Sequence, residues 1–188
     1  MVRIILRILN GPILILLVAA GIAIQSSLFY SWPLYYFQPD IVLLAVIWCA
    51  LKRRFEEGGI ITLIIASINE IHSAAPQGFF LINYMLVYLA IRTSSRIVMI
   101  PTVYSFSITS ILAFAGWKLF SIFLLSLFGA PLHGWQHSFF SLLLGCAVEG
   151  ALGFWLYQWL EKFDWITYKN ARAEHALDSE LLMDGEGF

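Results

Sequence analysis

The chain has 188 residues, 60% of them apolar and 12% charged, with a formal net charge of -1 and a mean hydropathy of +0.81. That mixture lies far from an ordinary soluble domain, and nucleic-acid binding is excluded because no basic patch with interleaved aromatics exists beyond the turn at Lys52, Arg53 and Arg54. An integral membrane protein is expected: at about 20 residues per crossing of a hydrocarbon core about 30 Å thick, the length holds about six helical spans and little else.

Six spans are read in chain order: 4–24, 34–51, 58–75, 79–91, 97–120 and 135–160. The first has Arg3 and Arg7 at its start and ends near Gln25. A cleaved signal peptide shares those features, but the length of the run and the five spans that follow favour a crossing. The breaks fall at SSLFYSWP, KRRFEEGG, AAPQG, RTSSR and GAPLHG, all rich in turn-forming or charged residues. The fourth span is short, which implies tilt, borrowed length or burial among its neighbours. Residues 119–134 are either the top of a long fifth span or an interfacial segment. Residues 1–166 are thus expected to form one all-α, polytopic membrane domain. The tail, 167–188, begins basic and ends acidic and reads as a mobile cytoplasmic extension, with a short amphipathic helix over 169–183.

Of the 11 Lys and Arg residues, Lys118 alone falls outside one face of this arrangement. Arg3, Arg7, Lys52, Arg53, Arg54, Arg92, Arg96, Lys162, Lys169 and Arg172 all fall on one side, so both termini are expected in the cytoplasm. Phe29, Tyr30, Trp32, Tyr35 and Tyr36 suit one membrane interface, and Trp159, Trp165 and Tyr168 suit the other. Cys49 and Cys146 sit in apolar runs without metal-ligand spacing and read as small hydrophobes.

Three acids stand inside the spans. At 1.5 Å per residue from the cytoplasmic boundary, Asp40 lies roughly 16 Å deep, and Glu70 and Glu149 roughly 18 Å. An ionised acid facing lipid at that depth costs about 2.5–3.5 kcal/mol, so each is expected to face the bundle interior or to be neutral. One reading joins them in a polar cluster with Asn69, Asn83, His72 and Lys118. The other satisfies each acid separately by local groups. Pro39 and Asp40 in particular read as a helix start, with the Asp side chain capping free amides. For Lys118, snorkelling to the outer interface is the simpler expectation, and pairing with a buried acid the sharper one.

No HExxH, GxSxG or Gly-rich phosphate loop occurs, and Glu70 and His72, two residues apart, would point to different sides of a helix. No enzyme activity, cofactor or metal is expected. Small residues offer seams for helix packing: Ala19 with Ala23 in the first span, and Gly145, Gly150 and Gly153 in the sixth. Gly145, Glu149 and Gly153, spaced by four, are the expected docking face for a partner helix. Packing within the chain's own bundle is the alternative.

The stretch from Pro39 to Arg92 resembles the MreD family, the membrane subunit of the bacterial rod-shape machinery. Pro39 and Asp40 open an apolar segment with Trp48 near its end. Gly59, then Glu70 where the family usually has Asp, then Gly78, Tyr84, Tyr88 and Leu89 follow in the family's order. Glu149 stands where the family would be expected to carry an amide-bearing residue. The resemblance implies a non-enzymatic scaffold in the bacterial cytoplasmic (inner) membrane. Its implied partners are an MreC-like single-span protein, the MreB filament, a RodA-type glycosyltransferase, a class B penicillin-binding transpeptidase and the surrounding lipid. It also implies a six-helix bundle like the substrate-binding subunits of energy-coupling-factor transporters, so a vitamin-type binding subunit is the second reading.

Overall fold

The computed structural model describes residues 2–28, 38–73, 75–95, 102–127 and 138–169. They form six α-helices, with no strand among them: α1 (Val2–Leu28), α2 (Ile41–Lys52), α3 (Phe55–Ile71), α4 (Phe79–Ser94), α5 (Val103–Leu127) and α6 (Ser138–Ile166). The expected aromatic group at Phe29, Tyr30, Trp32, Tyr35 and Tyr36 lies outside the described residues, as do Arg96, Arg172, Trp135 and nearly all of the tail.

Several helix limits differ from the expected ones. α2 begins only at Ile41, where Pro39 and Asp40 stop it from extending backwards. α3 begins at Phe55, so the break after α2 shrinks to Arg53 and Arg54. Glu56 and Glu57 fall in its first turn, where their charge complements the positive end of the helix. α5 starts six residues later than expected and runs unbroken to Leu127, so the described part of the 119–134 stretch continues the helix. α6 runs on to Ile166, past Glu161, Lys162 and Asp164.

The architecture is a ring of helices around a short central one. α2 touches all five others, and around it α1 meets α3, α3 meets α4, α4 meets α5 and α5 meets α6. Every residue from Val42 to Ala50 is buried. A helix enclosed on all sides has no polar face to keep, which is why its sequence shows an unbroken apolar run rather than a stripe. With 12 residues at 1.5 Å each, α2 is roughly 18 Å long, well short of a hydrocarbon core.

The outer helices are apolar on the side away from α2. α1 exposes Ile8, Leu16 and Ile24, while Leu14, Val18 and Ile22 turn inward. α5 exposes Tyr104, Leu112 and Leu119, and α6 exposes Leu143, Trp155 and Trp159. Two segments, Ile5–Leu28 and Val103–Leu124, are long and apolar enough to cross a membrane. Their most apolar windows are only 22% and 28% buried, unlike the core helix of a soluble protein. Three hydroxyls inside the helices are satisfied locally: Ser67, Thr109 and Ser110 each donate to the carbonyl four residues back, at 2.8 Å.

Candidate functional site

Two polar locks hold the ends of α2. At its start, Asp40 Oδ1 accepts the Leu43 amide at 2.9 Å, closing the first turn as an N-cap. Its other oxygen, Oδ2, accepts the Tyr84 hydroxyl of α4 at 2.7 Å. The Asp40 amide donates to Glu149 Oε2 of α6 at 2.9 Å, and the next amide, Ile41, reaches Gln25 Oε1 of α1 at 3.4 Å. Asn69 of α3 donates to the Tyr84 hydroxyl at 3.4 Å. One helix start is therefore tied to four neighbouring helices through Asp40, Ile41 and Tyr84.

Glu149 is fully buried, and its Oε1 has no hydrogen-bond partner among the described residues. Lys118 lies near enough to interact electrostatically with both Asp40 and Glu149, yet forms no ion pair with either. Its ammonium sits over the rings of Phe114 and Trp117, 5.5 and 5.1 Å from their centroids. Lys118 thus shelters on aromatic faces beside the buried acids, without the direct pairing that the sharper expectation requires. Trp117 in turn stacks on Tyr84 at 6.0 Å, which joins Lys118 to the cluster through ring contacts.

Of the expected polar cluster, then, Asp40, Glu149 and Asn69 come together, with Lys118 alongside. Glu70 does not join them. Its carboxylate accepts the amide of Gly78, and that of Leu81 at 3.2 Å, satisfying free N–H groups at the start of α4. Gly78, the N-cap of that helix, has φ +85, a left-handed conformation that favours glycine. Asn83 is also elsewhere, donating to Ser121 at 2.5 Å. His72 is exposed and bonds the carbonyl of Ile68. A shared depth along the chain axis did not bring these groups together because their helices turn them to different sides.

The second lock was not foreseen. Arg53 Nη2 reaches Asp164 Oδ1 at 2.5 Å and Asn10 Oδ1 at 2.8 Å. Asn10 donates in turn to Asp164 at 3.0 Å and to Thr167 at 2.5 Å. All four residues are at most 3% exposed. Arg92 adds a clamp from α4, donating to the carbonyls of Ala50 and Arg53 at 3.0 Å, and Lys52 reaches Tyr157 at 3.2 Å and Glu161 at 3.9 Å. The sequence signal for it was thin. Asn10 is a lone polar residue in an apolar run and Asp164 stands between Phe163 and Trp165, and each is expensive to bury unless paired.

No family model, curated protein or solved structure matches this chain.

The expected docking face is corrected by its surroundings. A Cβ on Gly145 would lie 2.8 Å from the Phe114 ring, one on Gly150 2.7 Å from Ile111, and one on Gly153 2.9 Å from Ser110. The glycine stripe with Glu149 is used up against α5 inside the bundle. Ala19 is half-buried and Ala23 exposed on α1, so that pair remains open to a neighbour. Cys49 is buried and Cys146 half-buried, both free thiols. Among the described residues no group of three or more His, Cys, Asp or Glu is placed to hold a metal.

Proposed function

We propose that this chain is a six-span protein of the bacterial cytoplasmic membrane, with both termini in the cytoplasm, and a non-enzymatic scaffold of the rod-shape machinery of the MreD type. The observation that carries this reading is what the motif residues do. Asp40 and Tyr84 bond each other, Glu70 and Gly78 build the start of α4, and the Tyr88 hydroxyl donates to the Phe55 carbonyl at 2.6 Å. Trp48 fills the core between Phe106 and Tyr157. The residues behind the resemblance are therefore spent on joining helices. A polar centre in which Asp40 and Tyr84 are engaged in a helix cap and in helix-to-helix bonds, with Oε1 of Glu149 the exception, suits a rigid docking body better than a reaction site.

The multi-pass reading draws support from the same architecture. Asn10 near the start of α1, Arg53 at the end of α2, Arg92 at the end of α4 and Asp164 near the end of α6 gather at one end of the bundle. Alternating helix directions are what a chain weaving through a bilayer requires, and the cations at that end agree with the positive-inside rule. A partner such as an MreC-like single-span protein would meet the outward apolar faces, α1 with Ala19 and Ala23 among them.

The test is mass spectrometry of whatever co-purifies with the full chain at native expression in mild detergent. A coiled-coil single-span protein together with cell-wall synthases is the expected result. A bound vitamin with ATP-binding-cassette subunits would overturn the scaffold reading in favour of a transporter subunit.

A further inference from the structure

A groove of about 740 Å³ runs between α1 and α3 and opens to the outside. Its walls are isoleucines, Ile8 and Ile15 from α1 and Ile60 and Ile64 from α3, and Gly11 lies on its α1 side. Between Ile8 and Ile15 the wall rises roughly 10 Å at 1.5 Å per residue. Charge is confined to one end, where Arg7 and Lys169 stand with Glu56 and Glu57. Lys169 and Glu57 are already paired at 3.0 Å, each about a quarter exposed. This end also carries the lock of Arg53, Asp164 and Asn10, because Lys169 follows Thr167 by two residues and Glu57 follows Arg53 by four.

We propose that this groove binds one molecule of phosphatidylethanolamine. The proposal rests on residence in a membrane but not on the scaffold role. An apolar trough with charge at a single end matches a lipid, with an acyl chain along the isoleucines and a headgroup at the rim. The rim holds both signs, two cations and two carboxylates. A zwitterionic headgroup uses both: its phosphate faces Arg7 and Lys169, and its ammonium faces Glu56 and Glu57. An anionic phosphatidylglycerol or cardiolipin headgroup would gain the same cations but meet the carboxylates as like charges. A free phosphate would have no use for the isoleucines. A partner helix would cover the apolar wall and leave the mixed rim without a counterpart.

The full chain, purified in mild detergent and stripped of lipid, would be offered phosphatidylethanolamine, phosphatidylglycerol and cardiolipin singly and in competition, with bound lipid counted by native mass spectrometry. The expected result is one phosphatidylethanolamine per chain, preferred by about tenfold, as two partly exposed ion pairs would supply. Gly11→Leu should abolish the adduct. A Cβ there meets only the end of Ile61 at 3.7 Å, so the larger side chain can enter the trough without striking backbone. The double change Glu56→Gln with Glu57→Gln, which leaves the trough intact, should erase the headgroup preference while retaining a lipid. Preference for an anionic lipid, an adduct that survives in Gly11→Leu, or binding that appears only after removal of residues 170–188 would each overturn the proposal alone. A chain that stays in solution without detergent would overturn the membrane reading and the lipid site with it.

Discussion

The amide of Asp40 donates to the carboxylate of Glu149, 109 positions further along the chain, at 2.9 Å, while the Asp40 side chain caps its own helix. Glu149 is thus the acceptor for a buried N–H that α2 cannot satisfy internally, as helix starts cannot. Glu149→Gln keeps an acceptor oxygen of the same reach and should hold stability to within about 1 kcal/mol, whereas Glu149→Leu strands the amide at a cost of about 1–3 kcal/mol. Thermal unfolding in detergent reads the difference. Equal melting of the two variants would show that the bond contributes nothing.

At the opposite end of α2 the pair of Arg53 and Asp164 is buried on both sides, with side-chain exposures of 1% and 5%. Removing one partner leaves an uncompensated charge beside Asn10 and Thr167, so Arg53→Met or Asp164→Leu alone should cost about 3–5 kcal/mol. The double variant should recover much of that loss, since two apolar groups no longer need each other. A double variant as damaged as the sum of the singles would mean that the two residues act independently.

Much of this fold is legible in the sequence, and the limits are physical. Apolar runs bounded by turn residues locate all six helices, and Pro39 with Asp40 marks the start of α2 because fixed φ and a short acceptor side chain leave few other roles. The helix limits at 103 and 166 were missed because composition near α5 and α6 changes gradually. Depth along an axis puts Asp40, Glu149 and Glu70 level, yet only the first two meet, because depth carries no information about rotation around a helix. The lock at Arg53 was invisible for the opposite reason. The run of three cations at 52–54 already accounts for Arg53 as an orientation signal, and nothing local links it to Asn10 or Asp164.

The glycines of α5 and α6 separate by what surrounds them. A Cβ on Gly145 would stand 2.8 Å from the rigid Phe114 ring, so Gly145→Ala should destabilise by about 1–3 kcal/mol through overpacking. Gly150→Ala meets Ile111 side-chain atoms at 2.7 and 2.8 Å, a more pliable neighbour, and should cost less. A Cβ on Gly116 would meet no neighbouring helix or side chain within 4 Å, and Gly116→Ala should instead stabilise by about 0.5–1 kcal/mol through reduced chain entropy. The order of melting temperatures, Gly116→Ala above the unaltered chain and Gly145→Ala lowest, tests the α5 to α6 seam. A Gly145→Ala chain as stable as the parent would displace that seam.

Topology gives the broadest check, because it depends on every span at once. With Cys49 and Cys146 replaced by alanine, single cysteines would be placed at Gln77, exposed in the turn between α3 and α4, and at Lys162, exposed near the end of α6. The basic end of the bundle holds Arg53, Arg92 and Asp164, and the α3 to α4 turn lies at the far end of both its helices. With that basic end in the cytoplasm, a membrane-impermeant maleimide applied to intact cells should label Gln77→Cys and leave Lys162→Cys unlabelled until the membrane is opened. Labelling of both before permeabilisation would require an even number of crossings between them in place of the three helices α4, α5 and α6, labelling of Lys162→Cys alone would require an inverted chain, and either would remove the basis for cytoplasmic contact with a filament.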